Sequence, residues 1–417
     1  MNIKTLGQST KNTLSKINAG TLLIAILTFV IGWQLGHKDV QVKWNNFNSS
    51  ISVQNQEPPK DVNIDFKLFW DTWDLLSRQY IDKKALDPNK MFYGAISGMV
   101  ASVGDPYTYF LPPDQQKSSQ EELNGSFEGV GIQLGFNKDK RLIVIAPLAG
   151  SPAEKAGIKA QDQILEINEK DTSGMSLTDA VKLIRGAGGT QVNLTIFREG
   201  EQDTRPYTLT RGTIIVKSAE STVKETKNGK RVGVIKLSKF GDRTQEEWAE
   251  AVNNVKQENV DGILLDLRNN PGGYLEGAVF IASEFLPNGD VVLQENAKGE
   301  RFAYKVNRGG VLLDIPLVVL INGGSASASE IVAGAIQDRN RGKVTGEKSF
   351  GKGTIQEAQE LPGGTGLHVT VAKWLTPNGR WVNDTQGLEP DSVIELTDEE
   401  KENTNVDTQL EKALENF

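Results

Sequence analysis

Two segments in the second half of the chain are short and almost entirely apolar. They read GILLDL at 262–267 and LVVLI at 317–321. Apolar runs of this length are typical of strands that are buried on both faces of a parallel sheet. Each run ends in a glycine-rich loop before a helical pattern, and a third strand pattern at 232–237 precedes an amphipathic helical pattern at 244–257. This order predicts an α/β fold whose functional groups lie in loops at the strand ends.

Composition narrows the chemistry that such a fold could perform. The 417 residues predict two or three domains. With 46 Lys and Arg against 54 Asp and Glu, the net charge of -8 argues against a nucleic-acid partner. The sequence has no Cys, which excludes a thiolate nucleophile, and the only histidines are His37 and His368, which argues against a metal site. We therefore predict no metal and no cofactor, and a hydrolase would need a base other than histidine.

The N-terminal region contains a long stretch without a charge, at 17–36. A helix of that length is about 30 Å long, which matches the core of a bilayer. Lys4, Lys11 and Lys16 precede it without an acidic residue, so the N-terminus is expected in the cytoplasm. Residues 1–36 are predicted to be a cytoplasmic tip and a single-pass transmembrane signal anchor, with the catalytic part periplasmic or extracellular. The alternatives are a cleaved signal peptide, which would need a small-x-small pattern, and a buried core helix.

Beyond this segment the composition changes several times. Residues 37–63 are polar and contain a Pro-Pro pair, which predicts a linker. Residues 64–124 read as a helical unit whose aromatic residues recur at helical spacing and are expected to form a core. Short strand patterns then occupy 125–201, and the α/β pattern occupies 202–400. Residues 401–417 are an acidic tail with a short amphipathic helix, expected at a solvated edge.

Three motifs occur within the short-strand region. They read GVGI at 129–132, SPAEKAG at 151–157 and DQILEIN at 162–168, with a helix predicted at 177–184 after a capping serine, Ser176. Together they resemble a PDZ domain. The resemblance implies that Gly129, Val130, Gly131 and Ile132 present backbone N–H groups to a peptide carboxylate beside a groove for an added strand. The alternative is that these glycines only form turns.

The segment GEKSFGKGT at 346–354 has the glycine and lysine spacing of a phosphate-binding loop. Two features argue against that interpretation. Gly353 stands where such a loop needs a Ser or Thr for magnesium, and residues 354–358 alternate like a strand where a helix is required.

Two motifs considered together indicate a different chemistry. The sequence NGGSASASE at 322–330, followed by GEKSFGKGTIQ at 346–356, resembles the signature of the carboxyl-terminal processing peptidases, also called tail-specific proteases. The resemblance covers residues 65 to 400. It implies that Ser327 is the nucleophile, that Lys352 is the base and that Gln356 orients the lysine. It also implies an oxyanion hole formed by the N–H groups of Gly273 and Ala328.

General chemistry supports these roles. A buried lysine can serve as the base because burial lowers its pKa from about 10.4. Ser325 and Ser329 are alternative nucleophiles by residue type, although each suits a turn or helix cap better, and Lys348 is the alternative lysine. His368 lies in the alternating strand pattern at 367–371 and is expected to face solvent; the alternative is a role near the site.

Arg185 ends the predicted helix at 177–184 and is similar to a position that couples the PDZ domain to the core in some family members. A plain helix-terminal charge is the alternative.

The predicted fold class is α/β multidomain: an N-terminal transmembrane helix, a helical unit, a PDZ domain, and an α/β protease core with a β-rich C-terminal part. The predicted function is a membrane-anchored serine endopeptidase that captures free C-termini of proteins or peptides and cuts them through a Ser–Lys dyad and an acyl-enzyme. A homo-oligomer is left open. The alternative is a noncatalytic, membrane-anchored PDZ adaptor that binds client C-termini.

Overall fold

The computed structural model describes residues 28–29, 40–45, 48–53, 64–397, 400 and 406–417. The chain divides into two units, Met1–Asp87 and Pro88–Phe417, which are described separately. The helices of the described residues are α1 Lys67–Gln79, α2 Pro88–Ala101, α3 Pro113–Asn124, α4 Pro152–Lys155, α5 Leu177–Ile184, α6 Thr244–Gln257, α7 Leu275–Ala282, α8 Ala328–Asp338 and α9 Thr408–Leu414.

The strands of the described residues are β1 Val40–Asn45, β2 Asn48–Val53, β3 Tyr109–Leu111, β4 Ser126–Gly129, β5 Ile132–Phe136, β6 Leu142–Pro147, β7 Gln163–Ile167, β8 Lys170–Asp171, β9 Gln191–Phe197, β10 Arg205–Thr210, β11 Gly212–Ile215, β12 Ala219–Glu225, β13 Arg231–Leu237, β14 Gly262–Asp266, β15 Asp290–Asn296, β16 Arg301–Lys305, β17 Leu317–Ile321, β18 Lys343–Gly346, β19 Thr354–Leu361, β20 Thr365–Leu375 and β21 Ser392–Val393.

Among its described residues, the first unit contains a hairpin and one long helix. Strands β1 and β2 pair antiparallel inside the segment that was expected to be a linker, where alternating residues favour strands despite the polar composition. Helix α1 carries the predicted aromatic stripe, but none of its residues is buried. The rings of Phe69, Trp70 and Trp73 contact one another, and Trp70 is 59% exposed. The predicted aromatic core of this helix is therefore wrong.

The predicted transmembrane helix requires a correction. A helix needs about 20 apolar residues to cross a bilayer core, and the longest helices among the described residues, α2 and α6, have 14. No helix of the described residues is long and apolar enough to span a membrane. The fold class with a transmembrane helix, and the single-pass, extracytoplasmic localisation inferred from it, are corrected accordingly. The predicted span, 17–36, lies outside the described residues except for 28–29.

An antiparallel sheet forms in the region of the predicted PDZ domain. Its strand order is β10-β9-β7-β6-β5, so β5 is an edge strand, and α5 packs against it. Helix α5 spans the predicted residues, and Ser176 caps it by accepting the N–H of Asp179. The strands that enter and leave this region, β4 and β11, pair with each other. The arrangement leaves one side of β5 open next to a helix.

The α/β region forms a six-stranded sheet in the order β12-β13-β14-β17-β18-β21. Neighbours from β13 to β21 are parallel, and β12 joins the edge antiparallel. Apolar residues of α6, α7 and α8 cover one face. Helix α9 covers the other face, with Ala413 fully buried, so it is not the solvated edge expected from the acidic composition of the tail. The parallel strands consequently carry few polar residues, as their sequences predicted.

A second sheet lies beside the first, with strand order β16-β15-β20-β19. Strand β3, from the segment after α2, pairs with β20 through Phe110 and Leu367. The residues before the predicted PDZ region therefore contribute to the same unit as the C-terminal strands.

Candidate active site

Ser327 lies at the start of α8, after the glycine-rich loop that follows β17. Its backbone φ of 54° and ψ of -114° are unusual for a residue with a side chain. Ser327 lines a cleft of about 410 Å³, together with Lys352, Gly273 and Ala328. Backbone strain of this kind is common at functional sites because it fixes the direction of a side chain.

The two neighbouring serines are fully buried and have their hydroxyl groups in hydrogen bonds. Ser325 Oγ donates to Leu267 O at 2.8 Å, and Ser329 Oγ donates to Asn270 O at 2.9 Å. Both serines thus tie the start of α8 to the loop after β14. Of the three serines, only Ser327 lines the cleft.

The loop after β14 places two glycines against Ser327. A Cβ on Gly272 would lie 2.9 Å from Ser327 Cβ and 3.0 Å from Ala328 N, so only glycine allows this approach. Gly273 has a φ of 137°, and a Cβ there would meet Phe240 O. Among the described residues, no acceptor receives the N–H of Gly273 or of Ala328. These two donors remain available to a substrate atom in the cleft.

Glu330 links the loop of Lys352 to the start of α8. Its buried carboxylate accepts the N–H of Ser327 at 2.8 Å, of Gly351 at 2.7 Å and of Lys352 at 2.9 Å, and Ser349 Oγ donates to it at 2.5 Å. Burial raises the pKa of Glu330, and these hydrogen bonds oppose the shift. One carboxylate thereby holds the backbone of both predicted dyad residues.

The amine of Lys352 is only partly accessible. Burial lowers its pKa below the ordinary lysine value, while the negative charges of Asp105 and Glu330 oppose that shift. Its Nζ lies 5.1 Å from the centre of the Tyr107 ring. Ser327 and Lys352 both line the cleft, and no hydrogen bond joins Ser327 Oγ to Lys352 Nζ in this structure.

Gln356 lines the cleft on β19 but does not bond to Lys352. Its Nε2 donates to Thr354 Oγ1 at 2.7 Å and to Thr370 Oγ1 at 3.3 Å. Lys348, the alternative lysine, is at the surface, where it pairs with Glu389 at 2.6 Å.

His368 is half-buried in the cleft, contrary to the expectation that it faces solvent. Its ring stacks on Tyr109 with centroids 4.8 Å apart. Burial lowers the pKa of His368, and the positive charge of Lys352 lowers it further. The pairing of β3 with β20 brings this histidine and tyrosine together.

The segment predicted to bind a peptide carboxylate forms the turn before β5. Val130 is fully buried, Gly131 has a φ of 74°, and Ile132 begins the edge strand. A Cβ on Gly131 would lie 2.3 Å from Ser151 Cβ, so this glycine has a packing role besides the turn. No described residue accepts the N–H of Val130 or Gly131. Gly129 pairs with Gly212 of β11.

Arg185 ends α5 and lies between three elements. Its guanidinium is 4.3 Å from the centre of the Phe127 ring on β4, and its Nη1 is 3.4 Å from Glu121 Oε2 on α3. The side chain therefore contacts both the strand and the helix that lead into the predicted PDZ domain.

Three family models match the chain. They are described as Peptidase family S41, over residues 231–394, PDZ domain, over residues 118–197, and Activating protease CtpB N-terminal domain, over residues 22–115. A carboxyl-terminal-processing protease from Synechocystis sp. is 41% identical over 324 residues, which span 78% of this chain and 75% of the relative. The chain belongs to the carboxyl-terminal processing protease family. This peptidase is a serine-type enzyme with a PDZ domain, so the noncatalytic adaptor is not supported.

A second relative belongs to the same family. The carboxy-terminal processing protease CtpA of Bacillus subtilis is 37% identical to the peptidase over 352 residues, or 84% of this chain and 73% of the relative. A solved structure described as an S41 protease from Bacteroides fragilis has a TM-score of 0.54 at 17% identity, covering 87% of this chain and 97% of that one. The latter similarity supports the fold alone.

Sequence reasoning did not identify two parts of the peptidase site. Glu330 could have been found, because Ser327-Ala-Ser-Glu330 has the Ser-x-x-Glu spacing of a helix capping box. Asp105 and Tyr107 had no such signal, since their proximity to Lys352 depends on the pairing of β3 with β20.

Proposed function

We propose that this peptidase cuts peptide bonds with Ser327 as nucleophile and Lys352 as general base. The observation that carries the proposal is that Ser327 and Lys352 line one cleft together with Gly273 and Ala328, whose N–H groups have no acceptor among the described residues. The hydroxyl groups of Ser325 and Ser329 already donate hydrogen bonds to backbone oxygens, which favours Ser327 as the nucleophile.

The proposed reaction has two steps. Neutral Lys352 accepts the proton of Ser327 Oγ as the oxygen attacks the peptide carbonyl, and the N–H groups of Gly273 and Ala328 stabilise the oxyanion. The protonated lysine then gives its proton to the leaving amine, which leaves an ester on Ser327. Water attacks the ester with Lys352 again as the base. Lys352 then returns the proton to Ser327 Oγ as the ester bond breaks, and the new C-terminus departs as a carboxylate.

Proton transfer requires Ser327 Oγ and Lys352 Nζ to come within hydrogen-bonding distance when substrate binds. Catalytic hydrogen bonds are often long in free enzymes and shorten when substrate binds. Gln356 has one amide oxygen free of described donors, which supports a role in orienting Lys352 once the amine approaches Ser327.

The PDZ domain, proposed to span 125–201, would deliver substrates to this cleft. The edge strand β5 beside α5 can accept an extended peptide, and the N–H groups of Val130 and Gly131 can bind its terminal carboxylate. Arg185, through Phe127 and Glu121, would couple this domain to α3, whose Glu122 and Leu123 line the cleft.

Cleavage of an unfolded protein by serine and lysine variants tests the dyad. Ser327→Ala and Lys352→Ala should each lower kcat by about a thousandfold or more. The matched controls Ser325→Ala, Ser329→Ala and Lys348→Ala should retain most activity in their folded fraction. Normal cleavage by Ser327→Ala, or a loss confined to one of the controls, would refute the assignment.

A further inference from the structure

The loop between α2 and β3 forms a rigid turn next to Lys352. Asp105 accepts the N–H of Tyr107 at 3.1 Å through one carboxylate oxygen and the hydroxyl of Thr108 at 2.7 Å through the other. The N–H of Thr108 also donates to Asp105 O at 3.2 Å. These bonds fix the backbone of Tyr107 within the turn.

The same turn is fixed to the C-terminal sheet. Thr370 N on β20 donates to Thr108 Oγ1 at 3.0 Å, and Thr370 Oγ1 accepts the side chain of Gln356 at 3.3 Å. A chain of hydrogen bonds therefore runs from Asp105 through Thr108 and Thr370 to Gln356. The turn and Gln356, the predicted orienting residue, therefore belong to one connected network.

Two groups of this turn act directly on the amine of Lys352. The ring of Tyr107 lies 5.1 Å from Nζ, within the range in which an aromatic face attracts a cation. No described residue shares a hydrogen bond with the Tyr107 hydroxyl, so the side chain of Tyr107 acts on the amine through its ring. The carboxylate of Asp105 supplies a negative charge that favours the ammonium form.

The charge states of the turn suit this contact at neutral pH. Burial tends to raise the pKa of Asp105, but hydrogen bonds from Thr370, Thr108 and Tyr107, together with the charge of Lys352, lower it below its ordinary value. Burial raises the pKa of Tyr107, and the negative charges of Glu330 and Asp105 raise it further. Asp105 is thus ionised and Tyr107 neutral. The other titratable groups that interact with Lys352 are Glu330 of α8 and His368 of β20.

We propose that Asp105 and Tyr107 are positioning residues for the base: the ring of Tyr107 holds the Lys352 amine at the cleft wall, and Asp105 fixes the backbone of Tyr107 and balances the ammonium charge. This inference rests on the proposed role of Lys352. Asp105 and Tyr107 lie outside residues 231–394, which match the peptidase family model. The proposed site therefore requires residues from another part of the chain. The site is complete only when the loop after α2 is docked on β20.

Two variants of Tyr107 distinguish loss of the ring contact from loss of folding. Tyr107→Phe keeps the ring and should retain kcat within about twofold, whereas Tyr107→Leu should lower kcat about tenfold or more with little change in KM. Equal activity of the Phe and Leu variants, with both folded, would overturn the role of the ring.

The pH profile of kcat/KM tests Asp105. Removing its negative charge by Asp105→Asn destabilises the ammonium of Lys352, so the acidic limb should move to lower pH. One pH unit below the wild-type midpoint, activity relative to each enzyme's own plateau should rise about threefold. Asp114→Asn, which removes an exposed carboxylate from α3, is the control and should leave the limb in place. An unmoved limb in Asp105→Asn would overturn the proposal.

These results are distinguishable from a failure of the dyad itself. If Lys352 is not the base, Lys352→Ala remains active and no limb shift is expected in any variant. If the dyad is correct but the positioning role is wrong, Lys352→Ala is inactive while the limb of Asp105→Asn matches that of wild type.

Discussion

The carboxylate of Glu330 accepts the backbone N–H of Lys352 at 2.9 Å, across the gap between α8 and the loop that precedes β19. The same carboxylate accepts the N–H of Ser327 at 2.8 Å. Because the two residues of the proposed dyad come from different segments, their relative position depends on a residue that binds both backbones. We therefore regard Glu330 as the residue that aligns the two segments.

Replacing this carboxylate should reduce both catalysis and stability. Glu330→Gln places an amide nitrogen against N–H donors, so we expect kcat to fall about 100-fold and the free energy of unfolding to fall by about 1–3 kcal/mol. Peptide cleavage and urea denaturation measure the two effects. The control is Glu247→Gln, which removes a buried carboxylate that binds Ser218 and Arg243. Glu247→Gln should lower the free energy of unfolding and leave kcat unchanged. Equal losses of kcat in the Glu330 and Glu247 variants would contradict the aligning role of Glu330.

The activity of the peptidase should increase with pH through the titration of Lys352. The base must be neutral to accept the serine proton, so activity is lost as pH falls below the pKa of Lys352. Because burial lowers that pKa, the acidic limb of kcat/KM should lie below the ordinary lysine value of 10.5. Stopped assays on a short peptide across pH measure the limb. A profile that is flat down to pH 4 would argue against a lysine base.

The PDZ domain should respond to the free C-terminus of a substrate. Amidating the terminus of a long peptide removes the carboxylate that the N–H groups of Val130 and Gly131 would bind. We expect a higher KM with a smaller change in kcat, because the lost contact is remote from the scissile bond. Kinetics with matched acid and amide peptides provide the comparison. Identical KM values would show that the groove does not recognise the terminus.

Helix α9 should contribute to stability through Asp407. This side chain caps the helix by accepting Leu410 N at 3.0 Å and pairs with Arg268 at 2.6 Å. Asp407→Ala should lower the free energy of unfolding by about 1–2 kcal/mol, whereas Glu411→Ala, at an exposed position of the same helix, should change it little. The hydrogen bond from Arg268 lowers the pKa of Asp407, so this stabilisation is present above the ordinary aspartate pKa and lost as pH falls.

Periodic segments could be predicted closely from the sequence. Helices α5 and α6 and strand β17 span the predicted residues, because each has a clear pattern and, for α5, a capping serine. The motif around Ser327 predicted a helix start for the same reason. Local pattern is sufficient where an element's own side chains decide its structure.

Burial and long-range contacts could not be predicted in this way. Helix α9 lies in a tail of acidic composition, yet its Ala413 is fully buried against the sheet, because the second face of a parallel sheet must also be covered. Trp70 of α1 has the spacing of a core residue and is exposed. Tyr107 and Lys352 are far apart in the chain, and the spacing of apolar residues in the sequence does not predict a contact between them.

The most direct test of the account is to identify the residue that carries the acyl group. The enzyme is mixed with an activated ester of a short peptide, quenched in acid within the first turnover, and analysed by mass spectrometry. We expect a mass increase equal to the acyl group, located in the fragment that contains Ser327 and absent from Ser327→Ala. An adduct on another residue, or product formation by Ser327→Ala at the wild-type rate, would contradict the proposed mechanism.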